Sequence, residues 1–372
     1  MVFAYGAFAA PPAEKGSARS SIEELGKHLF FDVNLSANRT QSCSTCHNPA
    51  NGFTDPGGMA SLGDDGKSLG DRNAPTASYA AFSPKFHKSP SGKWVGGQFW
   101  DGRAATLADQ AGGPPLSAVE MGMPDKASVV ARLRENPTYR KAFPALFGKD
   151  ILNDVEAAYA EMTKAIAAFE RTPYFSPFDS KYDRYLRGEA KLTNLEELGR
   201  LLFFSQQFTN CNQCHQLSRS EIDARETFTN YHFHNVGTPE NKELRKKNGV
   251  ALGTIDEGLA KNPAVKNDPA QRGKIKVPTL RNVAVSAPYM SNGVFNDLRT
   301  VVLFYNKYNS KSAASLINPE TGKPFGPPPV PETLSLKELE HGPALSDKRI
   351  DALVAFLKTL TDARYEHLLD KK

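Results

Sequence analysis

Six residues in this sequence stand at spacings that can do chemistry. Cys43, Cys46 and His47 belong to the stretch CSTCH, and Cys211, Cys214 and His215 to CNQCH. C-x-x-C-H is the attachment signature of a c-type haem. Its two thiols add across the porphyrin vinyl groups, and the histidine that follows becomes an axial ligand of the iron. The spacing works because one turn of backbone presents both sulfurs to one porphyrin edge and points the imidazole at the metal. The two motifs use all four cysteines of the chain. A zinc site at either would lack a fourth ligand unless a distant residue supplied it. A thioredoxin-like redox pair leaves the two histidines unexplained, and a disulfide inside each motif is an unusual use of the whole cysteine complement.

The elements that must position these groups repeat. EELGKHLFF (23–31) precedes the first motif and EELGRLLFF (196–204) the second. Seven of the nine positions are identical, although the distance to the motif differs. A Pro-Thr segment follows each motif, APTASYAAF (74–82) and VPTLRNVAV (277–285), and QFWDGRAATL (98–107) corresponds loosely to GVFNDLRTVV (293–302). Each half closes on an amphipathic pattern. These are EMTKAIAAFERT (161–172) and RIDALVAFLKTL (349–360), the latter with Leu353, Phe356, Leu357 and Leu360 on one face. The expected fold is mainly α: two cytochrome c-like haem domains related by internal duplication, with long loops, over 21–172 and 173–372. The proline-rich stretch 318–335 reads as a surface loop. In VVLFYNKYNS (301–310), Tyr305 and Tyr308 are spaced to share a helix face, which by itself signals core packing.

Composition narrows the classes. The chain has 372 residues, 40% hydrophobic and 23% charged, as a globular protein does. The formal charge of +5 is mild, and no basic stripe with interleaved aromatics argues for nucleic acid. No apolar run is long enough for a membrane span. The opening MVFAYGAFAAPPAEKG ends its apolar stretch in AFAA (7–10), like the tail of a secretory signal without its basic start. Residues 1–20 are therefore expected to be a signal remnant or disordered terminus, and the protein periplasmic.

Beyond the haem motifs, the stretches GDDGKSLGDRNAPT (63–76), GGQFWDGRA (96–104), FSPFDSKYDR (175–184), RETFTN (225–230), RNVAVSAPYMSNGVFNDLRT (281–300) and LFYNKY (303–308) are long and specific. With them nearly the whole chain resembles the bacterial dihaem cytochrome c peroxidase superfamily, in its MauG/MbnH-like branch. In ordinary members the second haem takes a methionine from the segment around 301–310. This segment has none, Met290 lying earlier, and the resemblance makes Tyr305 the sixth ligand and leaves Tyr308 as core. A phenolate favours high-valent iron where methionine raises the potential. The first haem, on Cys43, Cys46 and His47, would be open to hydrogen peroxide, with Glu120 moving the proton, Gln110 orienting water or peroxide, and Pro114 shaping the pocket. Glu120 alone would pass for a loop carboxylate. His87 reads as a surface residue.

The same resemblance makes Trp100 a hole relay between the haems, where a lone tryptophan would otherwise read as core; Trp94 is structural or exposed. It also implies a Ca²⁺ between the domains, held by the Asn73 side chain and the carbonyls of Ser286 and Pro288. His232 and His234 are expected to hydrogen-bond in the haem surroundings. One departure stands out. The surface tryptophan that passes holes to the substrate of MauG-like enzymes is Thr209 here, beside Phe208. That shifts the expectation towards the MbnH-like side.

The function implied is a peroxide-driven enzyme that forms a bis-Fe(IV) state and oxidises a tryptophan of a periplasmic partner protein. The product would be kynurenine in a copper-binding partner, or a tryptophylquinone. The alternative is a peroxidase drawing electrons from a small redox protein, against which Tyr305 in place of methionine argues. A purely electron-carrying role is disfavoured by the open first haem.

Overall fold

The computed structural model describes residues 21–217, 224–266, 268–310 and 312–371. The expectation for residues 1–20 lies outside them. In the first half the helices are α1 (Ile22–Phe30), α2 (Cys43–Cys46), α3 (Leu107–Ala111), α4 (Lys126–Glu135), α5 (Pro137–Phe147) and α6 (Val155–Glu170). In the second they are α7 (Lys181–Leu186), α8 (Asn194–Phe203), α9 (Cys211–Cys214), α10 (Lys242–Asn248), α11 (Leu298–Asn306), α12 (Leu336–Leu339) and α13 (Asp347–Lys358). Among the described residues, sheet is confined to three antiparallel pairs of two-residue strands. The fold is mainly α, with two cytochrome c-like domains.

The repeated EELG segment has a physical reason at each position. Its glutamates lie in a helix first turn, where the peptide dipole favours acid. Ser21 caps α1 by accepting from the Glu24 N–H at 3.2 Å. Thr193 caps α8 in a reciprocal box with Glu196. Leu29 and Phe30, like Leu202 and Phe203, are buried. The glycine lets two helices touch: a Cβ on Gly26 would overlap the Ala165 carbonyl of α6, and one on Gly199 the Ala352 carbonyl of α13. Each domain is thus built on one close crossing, α1 on α6 and α8 on α13. The closing helices start upstream of the sequence expectation, at Val155 and Asp347, because Asp154 and Ser346 occupy their N-cap positions.

Two apolar cores result. One gathers Leu25, Phe30, Val129, Phe143 and Met162, and the other Phe203, Phe228, Phe304, Leu353 and Phe356. Tyr365, near the C-terminus, packs into the first core and donates to the Pro49 carbonyl at 2.9 Å. The halves are also joined by a buried network. Arg281 forks onto Asp183 at 2.7 and 2.9 Å and lies over the rings of Tyr79 and Phe178. Asp362 accepts from the Tyr79 hydroxyl at 2.6 Å and the Asn282 amide at 2.7 Å.

Candidate haem-binding sites

Each C-x-x-C is a single helical turn, and the following histidine N–H returns to the first cysteine carbonyl, at 2.9 Å for His47 and 2.8 Å for His215. The imidazole Nδ1 of His47 lies 3.3 Å from the Phe53 carbonyl, and that of His215 lies 3.2 Å from the Phe228 carbonyl. A carbonyl only accepts, so Nδ1 carries the proton and Nε2 keeps its lone pair for a metal. Burial lowers both imidazoles, His215 to about 4, which keeps them neutral and able to ligate. The carbonyls are aimed by unusual backbone: Phe53 and Phe228 have φ of 55° and 54°. The residue before each is held by the Pro-Thr segment, Thr76 donating to Gly52 O at 2.7 Å and Thr279 to Thr227 O at 2.6 Å. Sequence reasoning found the Pro-Thr repeat but not this role.

A cavity of about 320 Å³ in the second half is lined by Cys211, Cys214, His215 and Tyr305. Two thiols, a free Nε2 and a phenol on one mostly apolar cavity are a donor set that fits a haem. Burial, then the sulfurs of Cys214 and Cys211, push the Tyr305 phenol upward, so it stays neutral in the chain alone. Met290 also lines this cavity, at its border with a second one. Tyr308 does not share the helix of Tyr305, because α11 ends at Asn306. Its hydroxyl donates to the Val236 carbonyl at 2.9 Å and its ring packs edge-on to Phe304. His234 lines the cavity 3.2 Å from the Ser335 hydroxyl, and burial drops it to about 4. His232 pairs through its backbone with Val95.

Around the first motif, the loop after α3 folds on itself, Met121 N–H donating to the Pro114 carbonyl at 3.2 Å. That brings Glu120 near Cys46, whose thiol burial lifts to about 11, with Asp55 and Glu120 adding to the rise. Gln110 is on α3, half-buried, and its side chain makes no hydrogen bond among the described residues. Near Cys43 the structure shows a carboxyl that sequence reasoning missed. Glu170, at the end of α6, is buried, its Oε2 has no hydrogen-bond partner among the described residues, and desolvation raises it to about 8. His87 is exposed, and Trp94 is half-buried and stacked on Phe86.

Between the two halves, Trp100 lines both the large cavity and a second one of about 150 Å³. Its indole N–H donates to the Asn73 carbonyl at 2.8 Å. Asn73, Ser286 and Pro288, from opposite halves, all line the smaller cavity. Hard, neutral oxygens suit Ca²⁺ in type, and with Lys276 and Arg281 on that cavity and no acidic side chain among its described residues they suit a weak site.

Residues 20–191 match the family model described as di-haem cytochrome c peroxidase. Over 359 residues, 95% of this chain and 92% of the relative, the sequence is 55% identical to the methylamine utilization protein MauG of Paracoccus denitrificans. The chain belongs to the dihaem cytochrome c peroxidase family. Among solved structures, the diheme peroxidase BthA from Burkholderia thailandensis superposes with a TM-score of 0.78 at 30% identity, covering 92% of this chain and 86% of that one. A MauG-like protein associated with microbial copper homeostasis superposes with a TM-score of 0.67 at 32% identity, covering 95% and 94%. The family supplies two haems, and its members are haem-dependent oxidoreductases that use peroxide. Thr209 is buried with its hydroxyl on the Leu202 carbonyl. The exposed neighbour is Phe208, with the Arg349 guanidinium 4.9 Å from its ring. Among the described residues no helix is long and apolar enough to cross a membrane.

Proposed function

We propose that this chain is a periplasmic protein-modifying dihaem enzyme. It uses hydrogen peroxide to reach a bis-Fe(IV) state and with it oxidises a tryptophan of a partner protein at a distance. The observation that carries this reading is Tyr305 on the cavity of Cys211, Cys214 and His215. In this reading the four cysteines would hold the haems, and His47 and His215 would ligate their irons. Tyr305 completes the second iron with an anionic oxygen, which suits storage of oxidising equivalents rather than electron intake. Bound haem supplies the redox chemistry. Glu120 holds and moves the proton that peroxide cleavage needs, and Gln110 and Pro114 shape that pocket. Trp100 relays charge between the sites, and Ca²⁺ on Asn73, Ser286 and Pro288 fixes the halves around it.

For the product, 55% identity over nearly the whole chain to a methylamine utilization protein favours a tryptophylquinone. Thr209 keeps the second reading, kynurenine in a copper-binding partner. It removes the surface indole that the quinone-forming route uses, and the chain also resembles a copper-homeostasis protein. The test is to add peroxide to the diferric protein without a reductant and follow its spectra. A long-lived oxidised state that a candidate partner discharges is expected, with the partner's tryptophan product read by mass spectrometry. Rapid turnover only when a small redox protein supplies electrons would make the chain an ordinary peroxidase.

A further inference from the structure

Among the described residues, Lys276 is the one lysine that lines both cavities. Its backbone N–H donates to the Trp100 carbonyl at 2.8 Å, and its Nζ donates to the Gly97 carbonyl at 2.5 Å. That is the single hydrogen bond its ammonium makes among the described residues, where three are possible. No described carboxylate forms an ion pair with it. The nearest charge acting on it is Asp101, which already holds Arg72 at 2.8 Å and Arg103 at 3.0 Å. Asp256 is likewise taken by Arg72 at 2.6 Å. Burial therefore pushes the amine down to about 7 in the chain alone. An ammonium half-buried between the two halves, with one acceptor, calls for an anion, and among the described residues no side chain pairs with it.

We propose that Lys276 is the counter-charge for a carboxylate side arm of the haem seated at Cys211 and Cys214, and so a positioning residue that sets that haem against Trp100. A haem carries two carboxylates along one edge, and a cavity this apolar cannot hold them without a cation. Arg245 also lines the cavity but is held by Asp71 at 2.9 Å, which leaves Lys276: it borders the cysteines' cavity and is hydrogen-bonded to the backbone of Trp100. The paired carboxylate also neutralises the ammonium, which unpaired would oppose positive charge on the neighbouring indole. The inference rests on the part of the reading above that puts a haem on Cys211, Cys214 and His215. It does not depend on the partner protein or on the product.

Two variants test it on the holoprotein, with haem content checked first. Lys276→Met removes the charge at similar volume, and Lys276→Arg keeps it with different hydrogen bonds. The expected results are a fall in the midpoint potential of the second haem in Lys276→Met and a near-native potential in Lys276→Arg. In both, the resonance Raman propionate-bending band of that haem should shift. An unchanged second-haem potential in a folded Lys276→Met protein overturns the proposal. So does an unshifted band in Lys276→Arg, which decides the matter even if the methionine variant does not fold. Neither readout involves oxidation of a partner, so failure here leaves the protein-modifying reading standing.

Discussion

Tyr305 holds its proton in the bare chain, because burial and the two sulfurs beside it oppose a phenolate. A ferric ion on His215 reverses that balance, since a bound cation stabilises the anion more than the pocket penalises it. Tyr305→Phe should therefore change the visible spectrum of the second haem and raise its potential, with the first haem's spectrum intact. If instead only Met290→Leu changes that spectrum, Met290 is the ligand and the storage argument falls. At the first site, Glu120→Gln keeps shape and loses the titrating proton. Its peroxide reaction, followed by stopped flow, should slow on the order of 100-fold or more while the second haem is spectrally unaltered; a native rate would remove Glu120 from the chemistry. The cysteines and histidines were legible in the sequence because C-x-x-C-H is a fixed-spacing signature. Phe53 and Phe228, which orient the imidazoles, were not. They act through backbone carbonyls, which carry no side-chain signature, and they lie at unequal distances from their histidines. Glu170 was missed for a related reason, since nothing in a helical pattern separates a buried carboxyl from an exposed one.

At the scale of elements, the duplication rests on two glycines. Helix crossings as close as α1 on α6 and α8 on α13 leave no room for a methyl group, so Gly26→Ala and Gly199→Ala must push the helices apart. Overpacking of this kind costs on the order of 1–3 kcal/mol. Each variant should lower the denaturation midpoint, and Gly199→Ala should disturb the second haem's spectrum more than the first's. An unchanged midpoint in either would mean the crossing is looser than the structure shows. The EELG repeat was visible as sequence, and its geometry explains why it is repeated. The end of α11 was not visible. The periodicity of 301–310 runs on to Tyr308, but Asn306 turns its side chain to the backbone of Leu345, accepting from its N–H at 2.8 Å, and the helix stops there. The paired hinges Tyr79 and Asn282, with φ of 59° and 62° at matching places in the Pro-Thr segments, were likewise hidden. Left-handed backbone at a tyrosine is set by tertiary contacts, here the Asp362 and Arg281 network, and not by local propensity.

For the molecule as a whole, buried carboxyls give stability a direction with pH. Asp183 and Asp256 are held below the usual range by Arg281 and Arg72, which outweigh the cost of their burial. Their contribution is present above the unfolded-state value, about 4, and is lost as pH falls through their lowered values. Asp362 and Glu170 act in the opposite sense. Burial raises them to about 6 and about 8, so folding favours their protonated forms. Their contribution is complete below about pH 4 and is lost as pH rises, through about 6 for Asp362 and about 8 for Glu170. The two sets together place maximal stability at about pH 4, with a decline towards alkaline pH. Glu170 dominates the upper part of that decline, because its value is raised the furthest and, among the described residues, its Oε2 has no partner to offset ionisation. Glu170→Gln should leave the melting temperature at pH 4 almost unchanged and raise stability at pH 8.5 by on the order of 5 kcal/mol. Thermal unfolding of the holoprotein at both pH values measures this. A variant destabilised equally at both would show that Glu170 is ionised and paired in the folded protein, and that its place beside Cys43 stabilises a charge instead of excluding one.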